Sequence, residues 1–173
     1  MTDEIEASNA TDARGARPVP DDDTLNDQAD AAEDFLNGLL DVLDMDGEAE
    51  AEIEGSGIVV EMAGPNMGLL IGRHGLTLDA LQDLTRAVVL RVTGSFALLT
   101  LDIEGYRERH REILSRRART AASTVLSSGV PQSLEAMSAQ DRKIVHTALA
   151  EFAGVKTTSE GEDPERHVVI LPD

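Results

Sequence analysis

The 173-residue chain has no cysteine and no tryptophan, one tyrosine and three phenylalanines. Without cysteine there is no disulfide, no thiolate zinc site and no thiol nucleophile, and a reducing compartment fits best. With so few aromatic rings the core must be aliphatic and alanine-rich, and base stacking on aromatic platforms is excluded as the main binding mode. No apolar run approaches the roughly 18 residues of a membrane span. The acidic, polar start has neither the basic nor the apolar region of a signal peptide. The expected address is the cytoplasm, with no membrane contact. The length leaves no room for a large enzyme core and allows one ordinary domain or two small ones.

Positive charge is also scarce. Fifteen Lys and Arg against 33 Asp and Glu give a net charge of −18, which opposes binding to phosphates. The charge is unevenly spread, however. Residues 1 to 54 hold 18 acids against Arg14 and Arg17, which gives −16; residues 55 to 173 hold 15 acids against 13 Lys and Arg, which gives −2. The part of the chain able to fold is nearly neutral.

Residues 1 to 30 carry almost no large apolar side chain and cannot bury enough surface to offset ordering entropy, so a disordered acidic tail is expected there. From Ala31 the pattern changes. Phe35, Leu39 and Leu43, with Leu36 and Leu40, recur at helical spacing and predict a helix over roughly 31–45. Segments 49–54 and 58–63 flank Gly55-Ser56-Gly57 and read as a β-hairpin. A short helical piece over 66–71 leads into Gly72-Arg73-His74-Gly75. A helix follows, with Thr77 as its cap, Asp79 in its first turn, a buried stripe of Leu81, Leu84 and Val88, and its end at Gly94. Residues 96–104 read as a strand.

A second unit opens at Tyr106 with a long helix over 106–127, buried along Leu114, Ala118, Ala121 and Val125. Residues 131–136 suit a short strand. Ser138 and Asp141 then form a capping box opening a helix to about Phe152, followed by strands at 155–159 and 166–171. The expected class is α+β, in two small domains at 31–104 and 105–173.

Three constellations could carry chemistry. In the Gly72–Gly75 turn, two glycines three apart let the backbone bend tightly and a ligand approach closely, and the next helix offers its free N–H groups to an anion. Arg73 can pair with a phosphate, and His74 can donate a hydrogen bond or stack. The same spacing also suits a plain helix connector. In the second constellation, Arg142 and His146 lie one helical turn apart on one face, just outside the arc of Ile144, Val145, Ala148, Leu149 and Phe152. They are expected to be partly exposed and to act as a pair, or else to be a surface Arg beside a structural His. The third is Arg107, Arg109, Arg111, Arg116, Arg117 and Arg119, with His110, on the long helix. These form either a solvated face laced with ion pairs or an extension of a nucleic-acid path.

The Gly-x-x-Gly turn, set between an aliphatic helix pair beside a hairpin, resembles the KH domain, whose loop clamps about four backbone nucleotides. The order helix-strand-strand-helix-GxxG-helix-strand is that of its bacterial, type II arrangement. Arg-x-x-x-His after a Ser-capped helix start, the turn at Gly154-Val155, and an acidic turn leading to Arg166 and Val168-Val169-Ile170 resemble the R-3-H domain, a single-stranded nucleic-acid-binding module. The succession of the two is similar to the bacterial Jag (KhpB) family from about residue 31 to the end. Family members often carry proline and an aromatic residue where this chain has Ala136 and Gln140. Many also begin with a further small domain, where this chain has its acidic segment.

The resemblance implies non-catalytic binding of single-stranded RNA, with single-stranded DNA as a second candidate. Gly72, Arg73, His74 and Gly75 would form one surface, and Arg142, His146 and Arg166 another. It implies a post-transcriptional regulator or RNA chaperone, paired with a small separate KH-domain protein. The alternative is a protein–protein adaptor working through the acidic tail and the KH surface. Nothing suggests an enzyme or a bound cofactor: phosphate-loop, zinc-protease and serine-hydrolase motifs are all missing, and the four histidines have no metal-ligand spacing.

Overall fold

The first helix, α1 (Asp22–Val42), starts well before the expected position 31 in the computed structural model, which describes residues 21–173. Asp21 caps it, its carboxylate accepting from the Thr24 N–H at 2.9 Å. Hydrogen bonding from Thr24 holds the Asp21 carboxyl below its ordinary pKa of 3.8. The earlier start corrects the expectation of a disordered segment reaching residue 30. Residues 22–30 continue the buried stripe through Leu25, Gln28, Ala29 and Ala32, a stripe of mostly small or polar residues that hydropathy reads poorly. Gln28 is fully buried and donates to the Ser95 hydroxyl at 2.8 Å. The rest of the expected tail, residues 1–20, lies outside the described residues.

Strands β1 (Glu48–Glu54) and β2 (Gly57–Ala63) form the expected hairpin, in register from Glu54↔Gly57 to Glu48↔Ala63. After a short helix α2 (Gly68–Ile71) the chain makes one tight turn, Arg73–Gly75, and enters helix α3 (Leu76–Thr93). It returns as strand β3 (Leu99–Ile103), parallel to β2, giving the sheet order β1-β2-β3. The α+β order is the one the sequence predicts. Helices α1 and α3 cover one face of the sheet. Ile58, Val60, Met62, Leu99, Leu101 and Ile103, all at most 1% exposed, fill the space between. At roughly 25 cal/mol per Å² of apolar surface, such burial is the main stabilising contribution.

On α3 the buried positions are Leu78, Leu81, Thr85 and Val89. Leu84 is half exposed, contrary to expectation. Thr85 takes the inward place because its hydroxyl bonds the Leu81 carbonyl at 2.8 Å and needs no water. Nor does Thr77 cap the helix: Gly75 is the cap residue, and Thr77 lies within α3.

Helix α4 (Tyr106–Ser128) leads into the second unit, where α4 and α5 (Ala139–Leu149) pack on a sheet of order β4-β6-β5. Its strands are β4 (Gln132–Ser133), β5 (Val155–Glu160) and β6 (His167–Pro172), all antiparallel. Beyond β4 the chain keeps alongside β6, with Leu134 and Met137 donating to the carbonyls of Val168 and Arg166. A separate aliphatic core joins Ala118, Ala122, Val125, Val145, Val168 and Ile170.

Candidate nucleic-acid interface

The Gly72–Gly75 turn depends on backbone conformations that side chains disfavour. Gly72 sits at φ 70°, ψ −173°, Gly75 at φ 77°, ψ 9°, and His74 between them at φ 54°, ψ 27°. Gly72 occupies a region essentially reserved for glycine, and a Cβ there would fall 1.9 Å from the Thr77 hydroxyl. A Cβ on Gly75 would come within 2.9 Å of the Tyr106 ring. Among the described residues no side chain caps α3, and the Leu76 N–H at its start is already bonded to the Arg73 carbonyl, so an anion there would rely on the neighbouring N–H groups and on Arg73. Arg73 and His74 are exposed at the mouth of the turn. The Arg73 guanidinium has no hydrogen bond or ion pair among the described residues.

The turn is tied to the second unit through the first turns of α4. Tyr106 backs Gly75 and stacks on His110, with ring centroids 5.3 Å apart and planes at 18°. His110 Nε2 lies 2.9 Å from Asp141 Oδ1, and its Nδ1 lies 3.3 Å from the Tyr106 hydroxyl. The consistent neutral tautomer has Nε2–H donating to Asp141 and the phenol donating to Nδ1. Burial, and then the negative charges of Asp141 and Asp79, raise the Tyr106 pKa above its ordinary 10.0, which keeps the phenol a donor. His74 meets His110 edge-on at 6.5 Å. Asp141 was legible only as a capping residue. Its N–H does donate to Ser138 Oγ at 3.1 Å, but its carboxylate turns to His110. The i,i+4 spacing of Tyr106 and His110 was the one sequence signal for this chain of contacts.

The six arginines of α4 divide in two. Arg107 is structural: it donates to Asp79 at 2.9 Å and to the Leu101 carbonyl at 3.0 Å, pinning α4 to α3 and β3. Arg109 donates to the Glu104 carbonyl. Arg111 pairs with Glu108 at 2.9 Å, and that bond holds the Glu108 carboxyl below its ordinary pKa. Arg116, Arg117 and Arg119 are exposed, and their guanidinium groups have no partner among the described residues. Arg116 and Arg117 border a groove of about 580 Å³ between α4 and the segment Gln132–Met137.

The expected Arg142–His146 pair is corrected. Arg142 is only 7% exposed, because its guanidinium folds inward to bond the Met137 carbonyl at 2.8 Å and Asp163 at 3.0 Å. His146 is half-buried, and both its ring nitrogens are taken, by Thr157 Oγ1 at 2.7 Å and Ser159 Oγ at 2.8 Å. The two residues thus fasten α5 to neighbouring segments separately, Arg142 at the acidic turn and His146 on β5. Arg166 is half-buried, and its Nε, closed to solvent, has no hydrogen-bond partner among the described residues. Strands β5 and β4 form opposite edges of their sheet, so the His146 side and the α4 groove are different surfaces. No cluster of metal-ligating side chains occurs among the described residues, and no described helix is long and apolar enough to cross a membrane.

Two protein families match separate stretches of the chain. The KhpA/KhpB KH-domain family matches residues 29–98, and the R-3-H domain family matches residues 112–172. The chain is 38% identical over 152 residues to the RNA-binding protein KhpB of Clostridium symbiosum, covering 86% of this chain and 66% of that protein. It is 40% identical over 111 residues to the KhpB of Bacillus subtilis, covering 63% of this chain and 53% of that one. The KhpB of Lactiplantibacillus plantarum is 34% identical over 137 residues, 79% of this chain and 42% of its own length. The chain thus spans between about two fifths and two thirds of these relatives. With a type II KH unit followed directly by an R-3-H unit, it belongs to the bacterial Jag (KhpB) family.

Proposed function

We propose that the chain binds single-stranded RNA without catalysing a reaction, as a post-transcriptional regulator or RNA chaperone in the cytoplasm. The proposal rests on the Gly72–Gly75 turn, where two glycines at positive φ open the uncapped start of α3 beside an exposed, unpartnered Arg73. A phosphate held there accepts from backbone N–H groups and the guanidinium together. From the clamp, the strand runs past His74 to Arg117 and Arg116 and into the groove along α4. Arg142 and His146 keep the second domain in shape, and Arg166 is the member of the expected second surface whose side chain is not already bonded among the described residues, although its Nε is closed to solvent. The names of the relatives support RNA over DNA, and the match to a KhpA/KhpB domain supports a small KH-domain protein as partner.

A salt titration of binding to single-stranded RNA tests the reading. Affinity must fall as salt rises, with a slope of roughly 0.7 for each phosphate contacted. Arg73→Asp with His74→Asp should abolish binding at moderate salt. Arg117→Ala should lower the slope by roughly 0.7. Undiminished binding by the double aspartate variant refutes the clamp.

A further inference from the structure

Between the Gly72–Gly75 turn and the second domain lies a cleft of about 240 Å³ that the phosphate clamp does not use. His74 and His110 line one side, Ile113 and Leu114 of α4 the floor, and Glu135, Met137 and Asp141 the far wall. Arg117 stands where this cleft meets the groove along α4, since it borders both. A strand leaving the clamp toward Arg117 must therefore cross the cleft.

We propose that this cleft is a nucleobase subsite, which receives the base of the nucleotide next to the clamp and favours bases bearing an exocyclic amine. This deepens the RNA-binding reading above and rests on it. The lining speaks for a base and against a phosphate. Two carboxylates, Glu135 and Asp141, repel an anion, while Leu114 and Met137 offer apolar surface to a flat ring. His110 has both nitrogens engaged and one face covered by Tyr106, so it presents ring carbon to the cleft rather than a hydrogen-bonding atom. Carboxylates only accept hydrogen bonds. Cytosine and adenine bring an amine to them; uracil brings a carbonyl oxygen at the equivalent position, which meets their lone pairs. The Arg117 guanidinium then takes the phosphate that follows the inserted base.

The reader of the base is assigned to Glu135, which is exposed and makes no hydrogen bond among the described residues, so its replacement does not threaten the fold. Asp141 is unsuited to the test because it also holds His110. The experiment measures binding of the full chain to uniform single-stranded oligoribonucleotides of cytidine, adenosine or uridine at one salt concentration, followed by a salt titration. The cytidine and adenosine oligomers should bind roughly tenfold more tightly than the uridine oligomer, the discrimination of one charge-assisted hydrogen bond. Glu135→Gln, whose amide both donates and accepts, should collapse that preference and leave the salt slope unchanged. Ala136→Trp, which plugs the cleft from an exposed position, should weaken the cytidine and adenosine complexes more than the uridine complex and so shrink the preference. Equal affinity for the three oligomers, or a preference that survives Glu135→Gln, overturns the subsite and leaves the clamp standing. Failure of all three to bind overturns the RNA reading itself, and the subsite with it.

Discussion

Replacing Gly72 by alanine isolates what the clamp's geometry costs an ordinary residue. Two effects add. At φ 70°, ψ −173° a residue with a Cβ bears about 1–3 kcal/mol of backbone strain. The new methyl would also lie 1.9 Å from Thr77 Oγ1 and 2.7 Å from its Cβ; rotation relieves only the first contact, so the turn must also shift off the Cβ, at a further cost of about 1 kcal/mol or more. The expected loss is about 2–4 kcal/mol. Gly94→Ala is the control, because Gly94 has positive φ and no atom within 4 Å of an added Cβ; it should lose about 1–2 kcal/mol, for left-handed backbone alone. Equilibrium urea unfolding, followed by circular dichroism and by the fluorescence of the sole tyrosine beside the turn, reads both. Adding Thr77→Gly to Gly72→Ala removes the overlap and leaves the strain, so the double-mutant cycle should show a favourable coupling above about 0.5 kcal/mol. If Gly72→Ala costs no more than Gly94→Ala, or if the cycle is additive, the reasoning fails.

Gly38 lies inside α1, exposed, with open space around it, so Gly38→Ala should stabilise the protein by about 0.5–1 kcal/mol in the same urea experiment. Tyr106 is raised above 10.0 by burial and neighbouring acids. Its folded-state contribution is therefore fully present below the unfolded pKa and is lost as pH rises through the folded one. Near-ultraviolet titration of this single tyrosine should give an ionisation midpoint above 10, returning to about 10 in denaturant. An identical midpoint in both states would remove the phenol from its buried, acid-flanked setting. Arg142→Ala strands the Met137 carbonyl and should cost about 1–3 kcal/mol, whereas Arg116→Ala should change stability by less than about 0.5 kcal/mol. Equal stability of these two variants, measured by urea unfolding, would contradict the buried role of Arg142.

Backbone order was legible because each element carries its own local signal: the glycines at 55, 72 and 75, the Ser138 cap, the alternation in β2 and β3. Side-chain environments followed less well, for identifiable reasons. Helical spacing locates Arg142 and His146 at the edge of a buried arc, but it is silent on whether a long guanidinium turns outward to solvent or inward to Met137 and Asp163. Likewise Thr85 displaces Leu84 from the core through a bond to its own helix that hydropathy does not register. Residues 22–30 read as tail because their buried stripe is only Gln28 and Ala29 beside a single leucine.

The charge distribution becomes intelligible once the strands are laid side by side. Glu48, Glu50, Glu52 and Glu54 alternate along β1, and Glu61 sits opposite Glu50 with Asp102 beside it on β3. All six therefore share the sheet face turned away from α1 and α3. An acidic edge strand resists pairing with other chains, and an acidic sheet face repels a phosphate backbone at short range. Unpartnered cations lie elsewhere, among them Arg73 at the turn and Arg116, Arg117 and Arg119 along α4. Within a Debye length of about 8–10 Å a strand responds to these local fields and not to the net charge of −18. On the proposed reading, the negative sheet helps to confine the strand to the route past Arg73 at the start of α3 and the α4 arginines. An overall acidic protein can bind RNA on such terms because its repulsion and its attraction act on different faces.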